Sequence, residues 1–207
     1  LLTVSAIVLG VSILFAFPQR NGSDGEDLVM KMPSPEEVQQ QMQRWQESMK
    51  PSRWHKLFDR LIGDWETEMS IYMAGPDGPA QKSTGTATFE WAVPGKWIHW
   101  HGDGDMFGMP VKQFGMMGYD NFKQKYVASW HSSLETTLSV AEGTLTQDGK
   151  RLMLWGSMDE PMTGQTDKTV RYDYIFRTAD EIVVQVHDLH IGTDKTKVVE
   201  VVYKRKK

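Results

Sequence analysis

From Asp64 to the C-terminus the side chains change character at every second residue, and turn-forming residues interrupt that alternation about every ten positions. A period of two belongs to strands, whose successive side chains stand on opposite faces. In the first such segment Trp65, Thr67, Met69, Ile71 and Met73 fall on one side, with Asp64, Glu66, Glu68 and Ser70 on the other. The breaks are Gly75-Pro76-Asp77-Gly78, Pro94-Gly95, Asp120-Asn121, Asp148-Gly149, Thr163-Gly164 and Gly192-Thr193-Asp194, all residue types that accept turn geometry. Between them about ten strands are expected, near residues 65–74, 82–93, 96–106, 111–119, 124–133, 136–146, 150–158, 166–178, 181–191 and 195–205. No helical pattern separates them, which disfavours parallel crossovers and favours an antiparallel meander. A meander this long removes its open edges by closing on itself. The expected fold is therefore mainly β, an antiparallel up-and-down barrel over residues 64–207.

The chain ahead of the barrel reads in three parts. Residues 1–17 carry no charge, and the run ends at Pro18 and Arg20. Its length lies at the lower edge of a membrane span and above the core of an export signal, so residues 1–18 are expected to be a signal peptide or a membrane anchor. Residues 19–34, rich in Gly, Ser and charge, read as a linker. Residues 35–63 are a helical lead-in of two short helices. Ser34-Pro35-Glu36-Glu37 is a capping box with proline at the first helical position, and Val38, Met42, Trp45 and Met49 then recur at helical spacing. Pro51 ends that helix. In the second, Ser52 is the cap, Trp54, Leu57, Phe58 and Leu61 are expected to turn inward, and Gly63 stops it.

A net charge of −4 leaves no broad basic surface, so nucleic acid is not an expected partner; the one dense basic run, Lys204 to Lys207, reads as a solvated terminus. The absence of cysteine excludes disulfides, thiolate metal sites, iron–sulfur clusters and a thiol nucleophile. Gly-x-Ser-x-Gly, phosphate-binding loops, dinucleotide fingerprints and His-Glu-x-x-His are absent too, so no catalytic signature and no cofactor is read from the chain.

Gly63-Asp64-Trp65 at the opening strand resembles the first signature of lipocalin-type barrels. The stretches HKLFDRLIGDWE, GTATFEW, FGMMGYDNFKQKYVASW, AEGT and VVYKRK together resemble a bacterial domain-of-unknown-function family placed with the lipocalin-like, or calycin, barrels. The resemblance covers residues 36–205 and implies the fold rather than an activity. That family's central block usually continues as Trp-Ile-Asp, whereas this chain has Trp130-His131-Ser132, so no role for that carboxylate carries over.

A barrel of eight to ten strands is either filled by its own side chains or wide enough for one small ligand. Trp65, Met69, Met116, Tyr126, Trp130 and Glu142 are the candidate ligand-binding residues. Met106, Met109, Met116 and Met117 supply adaptable thioethers for an apolar wall, and Glu142 continues the face of Leu138 and Val140. Trp65 also has a structural reading, as the plug of one barrel end. His99, His101, Asp103 and Asp105 alternate on one face and can present two imidazoles to a metal; Ile98 and Trp100 on the other face want burial, which turns the histidines to solvent. His55 reads as a packing or hydrogen-bonding residue of the second helix, and His187 and His190 fall on opposite faces of one strand. The sequence thus favours an exported, membrane-anchored or periplasmic/extracellular barrel binding a small hydrophobic molecule. The alternatives are a packed barrel acting as an interaction module and, behind it, a metal-binding enzyme using His99 and His101.

Overall fold

The computed structural model describes residues 33–207. The alternation resolves into β1 (Gly63–Ile71), β2 (Gln81–Val93), β3 (Trp97–Met106), β4 (Met109–Asp120), β5 (Lys125–Ser132), β6 (Ser139–Leu145), β7 (Arg151–Glu160), β8 (Gln165–Phe176), β9 (Glu181–Asp188) and β10 (Lys197–Arg205). Each strand pairs antiparallel with its neighbours in the chain, and β1 also pairs with β10, so the sheet closes into a barrel. The signal or anchor segment and nearly all of the linker lie outside the described residues. No helix among the described residues is long and apolar enough to cross a membrane.

The helix α1 (Pro35–Ser48) starts as its capping box dictates: Glu37 N–H donates to Ser34 Oγ at 3.2 Å, and Ser34 N–H donates to Glu37 Oε2 at 2.7 Å. Its stripe of Val38, Met42 and Trp45, continued by Met49, is 41–49% exposed. The second helix, Arg53–Arg60, is a 3-10 helix rather than an α-helix. The stretch between Pro51 and Gly63 is short, and the eight residues of this helix make a tightened connector of that type. It belongs to the compact unit Ser48–Lys207 together with the barrel. The tighter winding changes which residues turn inward: Leu57, Phe58 and Leu61 are buried, but Trp54 is 37% exposed and His55 is buried instead. His55 Nδ1 accepts the Ser52 N–H at 2.9 Å, and the ring meets Tyr119 edge-on at 5.6 Å.

The barrel core gathers at the end that this helix covers. Gly63 turns the chain from helix to strand at φ +123°, a conformation that suits glycine. Trp65, fully buried on the inner face of β1, donates its indole N–H to the Leu61 carbonyl at 2.8 Å. Arg205, opposite Trp65 across the β1–β10 ladder, lays its guanidinium 4.1 Å from the centre of that indole. The same guanidinium donates to the Ile62 and Arg60 carbonyls at 2.6 and 2.9 Å, satisfying the end of the 3-10 helix. Phe58 meets Trp91 and Tyr126 edge-to-face, and the Tyr126 hydroxyl donates to the Trp54 carbonyl at 2.8 Å. This end of the barrel is solid.

Candidate functional site

The other end is hollow. A cavity of about 280 Å³ occupies the barrel between the loops β1–β2, β3–β4, β5–β6, β7–β8 and β9–β10 and a floor of aromatic rings. Its position follows from side-chain size. β2 and β3 turn Ser83, Gly85, Ala87, Gly102 and Gly104 inward, and the register sets Gly85 opposite Gly104 and Ala87 opposite Gly102. Small residues facing small residues leave a space that the rest of the wall, carrying Met69, Trp130, Met158, Tyr172 and Tyr174, does not fill. Trp100 reaches inward from β3 because Gly115 on β4 has no side chain; a Cβ there would lie 2.2 Å from the Trp100 Nε1. Below, Phe89, Tyr174 and Tyr203 leave no room even for water, and Phe89 stacks on Trp100 at 5.9 Å.

The polar groups of the cup are few. Burial raises the Tyr203 phenol to about 12 and pushes Tyr172 and Tyr174 upward as well, so all three stay protonated in neutral solution. The Ser139 side chain opposes the upward shift of Tyr172, while the Glu135 carboxylate adds to it. Gln113 and Ser132 also face the space. An apolar and aromatic concavity with a small number of hydrogen-bonding groups is the usual make-up of a ligand site.

The structure separates the sequence candidates into three groups. Met69 and Trp130 line the cup. Trp65 and Tyr126 lie in the sealed end, within the packed core and outside the lining of the cup. Met116 and Glu142 face outward: Met116 is 45% exposed, and Glu142 accepts the ammonium groups of Lys123 and Lys125 in water. The cause is register, since Met117 and Ala141 take the inner positions on β4 and β6 and carry their neighbours outside. Leu138 and Val140 share the outer face with Glu142, while of the other clustered methionines Met106 lines the cup and Met109 is exposed. Met73 lies beyond the end of β1 and is also exposed.

His99 and His101 stand on the outer face of β3, as Ile98 and Trp100 turn inward. His99 pairs across the ladder with Glu90 at 3.2 Å and Asp103 with Lys112 at 3.5 Å, so the alternating row makes exposed surface contacts. Among the described residues no group of three or more His, Asp or Glu is placed to hold a metal. His131 stacks on Phe114 on the outer wall, and His190 Nε2 accepts the Thr169 N–H at 3.1 Å.

A second polar cluster sits on the outer wall of β7–β10. Asp173 is 1% exposed there, held by Arg171 through two hydrogen bonds of 2.9 and 3.1 Å. His187 places Nε2 3.6 Å from Asp173 and Nδ1 3.0 Å from the Thr196 hydroxyl. Burial lowers the His187 pKa, and the charge of Arg171 lowers it further, so the ring is neutral. The Thr196 hydroxyl is itself buried and the cluster shares no residue with the cup, so these groups pin strands together rather than meet a substrate.

Sequence reasoning missed Trp100, Tyr172, Tyr174 and Tyr203 as cup residues. The available signal was the small-residue alternation Gly85-x-Ala87 and Gly102-x-Gly104, which marks where the wall is thin.

Comparisons with known proteins agree with this architecture. A family model described as "Protein of unknown function (DUF1579)" matches residues 50–205. No curated protein matches the chain. Among solved structures, Rv2717c from M. tuberculosis superposes with a TM-score of 0.54 at 14% identity, over 76% of this chain and 100% of that one. The S-type phycobiliprotein lyase CPES from Guillardia theta superposes with a TM-score of 0.50 at 13% identity, over 79% of this chain and 97% of that one. At such identities the likeness is one of fold alone, a calycin-like barrel.

Proposed function

The chain belongs to the DUF1579 family of proteins of unknown function, and from that premise we propose that it binds a small, mainly apolar molecule inside its barrel. One observation carries the reading: a cup of about 280 Å³, walled by aromatic and aliphatic side chains, open at one end and sealed at the other. That volume lies at the lower edge of ligand sites, which span about 300–1,000 Å³, and suits a one- or two-ring compound or a short acyl tail rather than a whole phospholipid. The uncharged run 1–17 supports placing the barrel beyond, or tethered to, a membrane. Cell fractionation and sequencing of the mature N-terminus test that placement; a cytosolic protein retaining the run would sink it.

A binding function predicts a co-purifying molecule in native mass spectra of the gently purified protein. Gly104→Leu sharpens the test. A Cβ at Gly104 meets nothing closer than 3.6 Å, so a leucine there fits the backbone and projects into the cup. The bound mass should disappear in that variant while the fold persists. A bound mass unaffected by Gly104→Leu would place the molecule elsewhere.

The interaction-module reading draws on a different observation, the outer apolar strip of Phe114, Met116, Leu138 and Val140, each at least 42% exposed. Gly104→Leu separates the two readings, since it fills the cup without touching the strip: it abolishes a cargo function and spares an interaction function.

A further inference from the structure

The walls of the cup carry information about charge as well as size. Among the described residues that line it there is no lysine or arginine, while Glu135, from the β5–β6 loop, brings a carboxylate to the mouth. Asp103 and Asp105 also border the space, but their carboxylates are engaged elsewhere, by Lys112 at 3.5 Å and by the Gly108 N–H at 2.7 Å. Glu135 is different: it is exposed, and among the described residues its carboxylate accepts from the neutral Thr137 hydroxyl, at 3.1 Å. Among the described residues no cation pairs with it. Beside it, Trp130 and Tyr172 meet at 4.5 Å with their planes 82° apart, and Trp100 adds a third aromatic ring to the cup. Aromatic faces attract cations through their quadrupole and offer nothing comparable to anions. The remaining polar side chains are phenols, an amide, hydroxyls and the His131 imidazole, whose ring is stacked on Phe114 on the outer wall.

Resting on the ligand-binding reading above, we infer that the occupant is a molecule with an aromatic or apolar body and a positively charged amine head, the body in the cup and the head at Glu135. A carboxylate head, as on a fatty acid, would meet the Glu135 carboxylate at the entrance and, among the described lining residues, no lysine or arginine within. This assigns Glu135, Trp130 and Tyr172 as the determinants of ligand charge.

The experiment is calorimetric titration of the full chain with three probes that share one body: naphthylmethylamine, naphthylmethanol and naphthoate, at neutral pH. The amine is expected to bind about tenfold tighter than the alcohol, an ion-pair and cation–π increment of ordinary size, with the carboxylate weakest. In Glu135→Gln, which keeps the shape and removes the charge, the amine-to-alcohol ratio should fall to about threefold, the share left to the aromatic faces. Trp130→Phe, which keeps a smaller ring, should lower the same ratio. A carboxylate probe binding as tightly as the amine, or a ratio untouched by Glu135→Gln, overturns the charge assignment. Equal binding of all three probes overturns it too and leaves the ligand-binding reading standing, whereas no binding of any probe, with an empty cup in native mass spectra, overturns both.

Discussion

Where the 3-10 helix caps the barrel, Phe58, Leu61 and Trp65 are at most 1% exposed, and the peptide groups around them are capped by Trp65 and Arg205. At the opposite end the same strands present Gly85, Gly102 and Gly104 to the interior and leave a cup. The difference shows how one closed sheet divides labour along its axis. The strands must pair along their whole length to remove their edges, so the backbone is equally regular at both ends. Only side-chain volume distinguishes a plug from a pocket, and large residues are concentrated where the helix completes the core. Stability should therefore reside at the closed end and binding at the open one.

The hardest test of that division is Trp65→Ala. It removes a fully buried indole, its hydrogen bond and the seat of Arg205, and should cost about 3–5 kcal/mol in denaturant unfolding. Unchanged stability would mean the closed end is not the core. Trp130→Ala offers the contrast: this indole borders space already empty, so the expected loss is about 1–2 kcal/mol, while affinity for any cup ligand should fall sharply in titration. Gly104→Leu carries the comparison further, with a change in unfolding free energy of under about 1 kcal/mol and loss of binding.

A smaller effect is expected from pH. Burial lowers the pKa values of His55, at the closed end, and His187, on the outer wall, below 6.5. The unfolded chain then binds protons more readily than the folded one, so the stability contributed by neutral imidazoles is complete above 6.5 and declines as pH falls below it. Urea unfolding across that window should show the decline, and His55→Gln together with His187→Gln should flatten it; a stability that rises on acidification through this range would contradict the burial of both rings. The smallest effect belongs to His99→Ala, an exposed residue with an exposed partner, for which thermal unfolding should register no more than about 0.5 kcal/mol.

Much of the fold was legible because it rests on local pattern. Trp65, Thr67, Met69 and Ile71 alternate against charged neighbours, and they do line the inside of β1. The outward row of His99, His101 and Asp103 followed from the burial demand of Ile98 and Trp100 on the same strand. The candidate site was less legible. Met69 and Trp130 were found, because their strands alternate cleanly. Met116 and Glu142 face outward, which the sequence leaves open because Met116-Met117 and Val140-Ala141-Glu142 offer apolar residues at both parities, and alternation alone does not choose between them. Trp54 and His55 exchanged places because the short helix winds at three residues per turn, which its spacing does not announce.

The sequence by itself determined the number of strands, their antiparallel order, the capped helix and the identity of the large residues available for a core. These depend on chemistry within a few positions of each residue, through period, turn type and capping. Only the tertiary structure decided that the barrel is packed at one end and hollow at the other, and that Trp100, Tyr172, Tyr174 and Tyr203 converge on one space with Glu135 at its mouth. That outcome depends on which residues meet across ladders and across the barrel, where Gly85 opposes Gly104 and Trp100 overlies Gly115, pairings between positions 15 to 19 apart that no local pattern encodes.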